Sequence, residues 1–109
     1  MSIFNSTPRP GSDALHWGDG KLMINATRVW LDGEISPGPN YRLYLVDDYV
    51  DTGADFLAIK AQARQVGPIK AFTNFSLDLP ADIDSNAFDA VVIWCEAFGQ
   101  FITAARLEN

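Results

Sequence analysis

The chain has 109 residues, 48% of them hydrophobic, with 14 acidic and 8 basic side chains and a formal net charge of −6. This length supports one domain with a real core and excludes two, and the apolar content excludes disorder by composition. The acidic balance excludes a nucleic-acid surface, which needs clustered Lys and Arg, and docking on anionic lipid; the single cysteine excludes an internal disulfide but does not identify the compartment.

Residues 1–15 read as a flexible tail ahead of a single domain over 16–109. The tail holds Pro8 and Pro10 and has no apolar run, so it is neither a signal peptide nor a membrane anchor. No apolar stretch of the chain approaches a membrane span, and no membrane insertion is expected. The expected location is the cell envelope or the exterior if an N-terminal segment has been removed, and the cytoplasm otherwise.

Gly18-Asp19-Gly20 is a turn signal. Two strand-like runs follow, Lys21–Ala26 and Thr27–Leu31, which can also be one strand bent near Asn25, and Asp32-Gly33 is a second turn dipeptide. Ser36–Asn40 is a rigid loop with two prolines, and Tyr41–Val46 is a strand rich in aromatic and aliphatic side chains. Asp47–Asp55 is an exposed loop. Residues 54–62 are the one helix candidate, capped by Thr52 or Asp51, with Phe56, Ile59 and Ala63 on one face. Gly67-Pro68 reads as a break. In Lys70–Leu79, Phe75, Leu77 and Leu79 alternate with polar residues, as on a half-buried strand. Asp82–Asp89 is a polar connector, and the last two strands are Asp89–Phe98 and Gln100–Leu107, parted at Gly99. The pattern is all-β: an antiparallel sandwich or barrel-like domain of about six to eight short strands, with one short helix near 54–62.

Cys95 ends the run Val91-Val92-Ile93-Trp94-Cys95. Strand pleating puts Val91, Ile93 and Cys95 on one face and Val92, Trp94 and Glu96 on the other. Both faces are bulky, so the pattern by itself favours a thiol that fills the core as a small hydrophobe. A reactive thiol needs a nearby cation; Lys70, Arg42 and Arg106 are the candidates that folding can bring to it. His16, the only histidine, is a weak candidate for a Cys–His pair. Two N or S ligands do not make a structural zinc site, so no metal site is expected. Non-covalent haem through Cys95, His16, Met23 or a tyrosine has no motif behind it. Asp47, Asp48, Asp51 and Asp55 do not follow EF-hand spacing and read as a solvated loop. Most of the three Trp, seven Phe and three Tyr are expected in the core.

The C-terminal run from Asp89 to Phe98, with Phe101, Ala104-Ala105 and Leu107 after it, resembles the signature of the DM-thirteen domain, also called the electron-transfer DM-thirteen domain. Three further segments agree in order: Ser36–Tyr41 with Leu43-Tyr44-Leu45, Gly67–Ala71, and Leu79-Pro80. The resemblance spans about residues 16–107. Asn40 stands where the family usually has an acid, and the insert from Asp47 to Gln65 is longer than in animal members and resembles the bacterial branch.

The resemblance implies an all-β domain, often attached to exported or membrane-anchored proteins. In animals the domain lies beside DOMON domains, which resemble haem-binding cytochrome domains. It implies for Cys95 a redox centre, either a bare thiol or a ligand to a group such as haem, and so sets the redox reading beside the packing one. The first expectation is therefore a redox or electron-transfer accessory domain acting through Cys95, with a redox or cell-envelope protein as partner. The alternative is a non-catalytic cell-envelope binding module in which Cys95 is structural and recognition lies in the 47–55 loop or the Pro37–Pro39 loop. A stand-alone enzyme is the weakest option, because the chain has one His and no paired carboxylates in a recognisable cleft.

Overall fold

Ala90–Cys95 is apolar at every position, and a strand with two apolar faces needs cover on both sides. The computed structural model, which describes residues 2–5 and 18–106, supplies that cover with two sheets and a helix. The first sheet has the order β1-β2-β3-β6: β1 is Ser2–Asn5, β2 Gly18–Ile24, β3 Arg28–Ile35 and β6 Ser76–Asp78. The second has the order β5-β4-β7-β8: β4 is Tyr41–Val46, β5 Arg64–Ile69, β7 Ala90–Cys95 and β8 Gln100–Arg106. Every pairing is antiparallel. The expected antiparallel sandwich with one short helix is the observed fold. β1 falls inside the segment read from sequence as a tail.

Two apolar clusters follow from the pleat. Leu22, Ile24, Val29 and Leu31 of the first sheet meet Leu43, Leu45, Val91, Ile93 and Cys95 of the second in the core between the sheets. On the other face of the second sheet, Tyr44, Val46, Val92, Trp94 and Phe101 pack against Phe56. Phe56 belongs to helix α1, Gly53–Ile59, which continues as a 3-10 turn over Lys60–Gln62. Thr52 caps α1: its Oγ1 accepts the Asp55 N–H at 3.2 Å, which satisfies one of the orphan donors of the first turn. Ile59 and Ala63 join Phe56 on the buried face, as the sequence pattern predicts.

Four expectations are corrected. Gly18-Asp19-Gly20 and Asp32-Gly33 are not turns but lie within β2 and β3, where Gly20 pairs with Gly33. Both glycines have positive φ, 135° and 151°, and the pairing continues in register through them. The turn between β2 and β3 is instead at Asn25, which makes them two strands: Asn25 Oδ1 accepts the N–H groups of Thr27 and Arg28, both at 2.9 Å. Gly67-Pro68 does not break the chain. It lies in β5, an edge strand, where a missing N–H can face outward, and the pairing with β4 shifts register between Leu43 and Tyr44. Finally, the strand read over Lys70–Leu79 contracts to β6, because Asn74 adopts a left-handed conformation (φ 51°) just before it. Asn74 Oδ1 accepts the Gly33 N–H at 3.1 Å, and the Asn74 N–H donates to the Gly33 carbonyl at 2.9 Å.

The Gly20–Gly33 pair is a close backbone approach. A Cβ on Gly20 would lie 2.4 Å from the Asp32 carbonyl oxygen and 2.7 Å from the Gly33 Cα. Gly20→Ala is expected to lower stability by about 1–3 kcal/mol, the scale of a side chain forced into a glycine-only conformation. The midpoint of urea unfolding measures it; an unchanged midpoint would show that glycine is not required at this position.

Candidate redox site

The pleat of β7 places Cys95 on the inter-sheet face, opposite Tyr41 of β4 and Gln100 of β8. The residue has no exposed surface. Its thiol donates to the Pro39 carbonyl, with Sγ 3.1 Å from the oxygen. One residue on, the Glu96 N–H donates to the Asn40 carbonyl at 3.0 Å. The Pro37–Asn40 loop is thus tied across the end of β7 by two adjacent bonds. Asn40, at φ 57°, turns the chain from this loop into β4, a conformation asparagine tolerates better than most residues. Its Oδ1 accepts from Arg42 Nε at 3.1 Å. Gly38 lies directly on the Tyr41 ring, where an added Cβ would be 2.5 Å from the phenolic oxygen. Tyr41 is buried, meets Phe72 edge-on and has its hydroxyl 3.4 Å from Ser36 Oγ. Burial pushes the Tyr41 phenol above its ordinary value, the Ser36 hydroxyl opposes this, and the adjacent Cys95 adds to it.

On the opposite face of the same sheet lies a polar group that sequence reasoning missed. The Tyr44 hydroxyl donates to Glu96 Oε1, and the Gln65 side-chain oxygen is 3.3 Å from the same hydroxyl. Lys60 Nζ is 3.1 Å from Glu96 Oε1 and 3.2 Å from Oε2. Burial raises the Tyr44 phenol well above its usual range, and the Glu96 carboxylate adds to this. Burial also pushes Glu96 up, but the Tyr44 hydrogen bond and the Lys60 ammonium outweigh it and hold the carboxyl below its usual value. Tyr44, Lys60 and Glu96 are far apart in sequence, and only the β4–β7 register and the placement of α1 bring them together.

The other residues weighed from sequence are scattered. His16 and Leu107 lie outside the described residues. Arg42 sits opposite Trp94, on the face away from Cys95, Arg106 lies over the Tyr49 ring at 4.2 Å, and Lys70 is exposed. Met23 is on the outer side of the first sheet, beside Trp30 and Arg28. Asp47 and Asp48 line a cleft of about 220 Å³ with Val46, Ile59, Gln62 and Ala63. Among the described residues, no group of three His, Cys, Asp or Glu side chains is placed to hold a metal ion, and no helix is long and apolar enough to cross a membrane.

Residues 11–107 match the family model described as electron transfer DM13. The chain belongs to the electron-transfer DM13 family. No curated protein and no solved structure matches it. The DM13 match takes in all of β2 to β8, and with them both Cys95 and the Tyr44–Glu96 pair. The family description supports an electron-transfer role for this DM13 domain as a whole and names no residue.

The ionic pair in the domain makes a pH prediction. Glu96 has a depressed value in the folded state, so its contribution to stability is present above the unfolded value of about 4.3 and is lost as pH falls through the folded value. Glu96→Gln is expected to cost roughly 1 kcal/mol at pH 7, given the partial exposure of the pair, and the gap from the parent should close in acid. Urea unfolding of both proteins across that range measures it; a gap that stays constant would contradict the pairing.

Proposed function

We propose that this DM13 domain is an electron-transfer accessory domain whose redox group is the bare thiol of Cys95, covered at rest by the Pro37–Asn40 loop. The observation that carries this reading is the bond from the thiol to the Pro39 carbonyl. Pro39 and Asn40 are exposed, so a sulfur with no exposed surface lies one residue beneath the outside. Movement of a single loop, held by two hydrogen bonds, uncovers it.

The chemistry is thiol–disulfide exchange. The Cys95 thiol loses its proton to water, the thiolate attacks a disulfide of a partner protein, a Cys95–partner disulfide forms, and the partner's second sulfur leaves as a thiolate. The chain has no second cysteine to resolve that bond, so the next thiol must come from the partner. The residues do not fit a haem ligand at Cys95. The thiol proton is committed to a backbone carbonyl, and the side chain belongs to the apolar inter-sheet core, whereas iron takes a deprotonated sulfur with room for the macrocycle.

The complete burial of Cys95 favours a second reading, a non-catalytic binding module of the cell envelope in which the sulfur only fills the core. Titration with a chromogenic disulfide separates the two. Under the redox reading the folded protein reacts, and replacing Pro37 and Pro39 with Gly speeds the reaction by about fivefold, as expected from roughly 1 kcal/mol of lost pre-organisation. Reaction only at the rate of global unfolding, unaffected by the loop, would establish the packing reading. In that case Cys95→Ala is expected to cost about 1 kcal/mol or more of stability while sparing function.

A further inference from the structure

We infer that Tyr44 is a second redox side chain of this domain, oxidised by one electron with simultaneous transfer of its phenolic proton to Glu96. The inference rests on the electron-transfer role of the domain and makes no use of Cys95.

A phenol is hard to oxidise while it keeps its proton, because the resulting radical cation is a very strong acid. Oxidation becomes accessible when a base already holds the O–H by a hydrogen bond and takes the proton as the electron leaves. Tyr44 has that arrangement: its hydroxyl donates to a carboxylate oxygen of Glu96. Glu96 is kept ionised by Lys60, which touches both of its oxygens, so the acceptor is present at neutral pH. Its lowered proton affinity leaves the proton on the phenol at rest, and the acidity of the oxidised ring is what reverses the order. The Gln65 side-chain oxygen, 3.3 Å from the hydroxyl, is a second acceptor within reach of the same phenolic proton.

The ring itself is nine-tenths buried and packs edge-on against Phe56, with ring centres 5.2 Å apart. Phe56 in turn lies 5.0 Å from Trp94, so Tyr44 belongs to a contiguous set of three buried aromatic rings. Tyr41 shows the contrast: it is equally buried, but its hydroxyl meets the hydroxyl of Ser36, which is no base. In the step, a one-electron acceptor of the outer-sphere kind takes one electron from the Tyr44 ring, the O–H bond breaks, and the proton bonds to Glu96 Oε1. The products are a neutral tyrosyl radical, a neutral carboxylic acid and the reduced acceptor; return of the electron reverses the proton.

The test is flash-quench oxidation of the full chain by photogenerated ruthenium(III) tris-bipyridine, followed by transient absorption and electron paramagnetic resonance. The expected result is a tyrosyl signal that Tyr44→Phe abolishes. Glu96→Gln, which keeps an acceptor oxygen but not the base, is expected to slow its formation by about a hundredfold at neutral pH, the lower end of what a positioned proton acceptor contributes. No tyrosyl signal, a signal that survives Tyr44→Phe, or an unchanged rate in Glu96→Gln would overturn the inference. Cys95→Ser separates it from the thiol reading: a radical that needs the sulfur overturns the Tyr44 assignment and leaves the thiol standing. A radical indifferent to Cys95→Ser, together with a thiol that reacts only on unfolding, supports Tyr44 and sinks the thiol.

Discussion

The structure depends on the burial of both faces of β7. A six-residue strand with no polar position contributes nothing to a solvent-facing sheet, and its stability comes from being covered twice. The first sheet covers one face, and α1, anchored by Phe56, covers the other. The helix is therefore a necessary third layer and not an ornament on a sandwich. Its seven residues are too few to be stable alone, so the Thr52 cap and the Phe56 contact to Tyr44 and Trp94 hold it in place.

Strand parity then distributes the chemistry. Because successive side chains alternate, Cys95 goes to the inter-sheet core beside Tyr41, while Trp94 goes to the helix side with Tyr44. Glu96, the first residue past the strand, uses its backbone to pin the Asn40 carbonyl and its side chain to hold Tyr44 and Lys60. One residue thus links the loop over the thiol to the polar group under the helix. The two candidate redox groups share a strand end but face opposite layers, which is why substitutions can address them separately.

Much of this was readable from residues alone. Tyr41–Val46 and the two C-terminal strands are dense in β-branched and aromatic side chains, and Thr52 with Phe56, Ile59 and Ala63 marks a capped amphipathic helix. The parity of Val91 to Cys95 follows from pleating without coordinates. The failures share a cause: Gly20, Gly33, Gly67 and Pro68 are turn residues by local preference, yet pairing with a neighbouring strand overrides that preference. The Tyr44–Glu96–Lys60 group was invisible because it is made by register between distant strands and a helix, and none of its residues forms a motif with its sequence neighbours.

The proposed thiol chemistry requires that the Pro37–Asn40 loop cover the Cys95 sulfur and that the Pro39 carbonyl hold its proton. The S–H stretching band of this single cysteine, followed in the infrared after transfer to heavy water, reports on both. A hydrogen-bonded thiol beneath the Pro39 carbonyl should give one band shifted to lower frequency that decays slowly, as the loop opens. A band at the position of a free thiol that vanishes on mixing would show the sulfur open to solvent and contradict a covering loop.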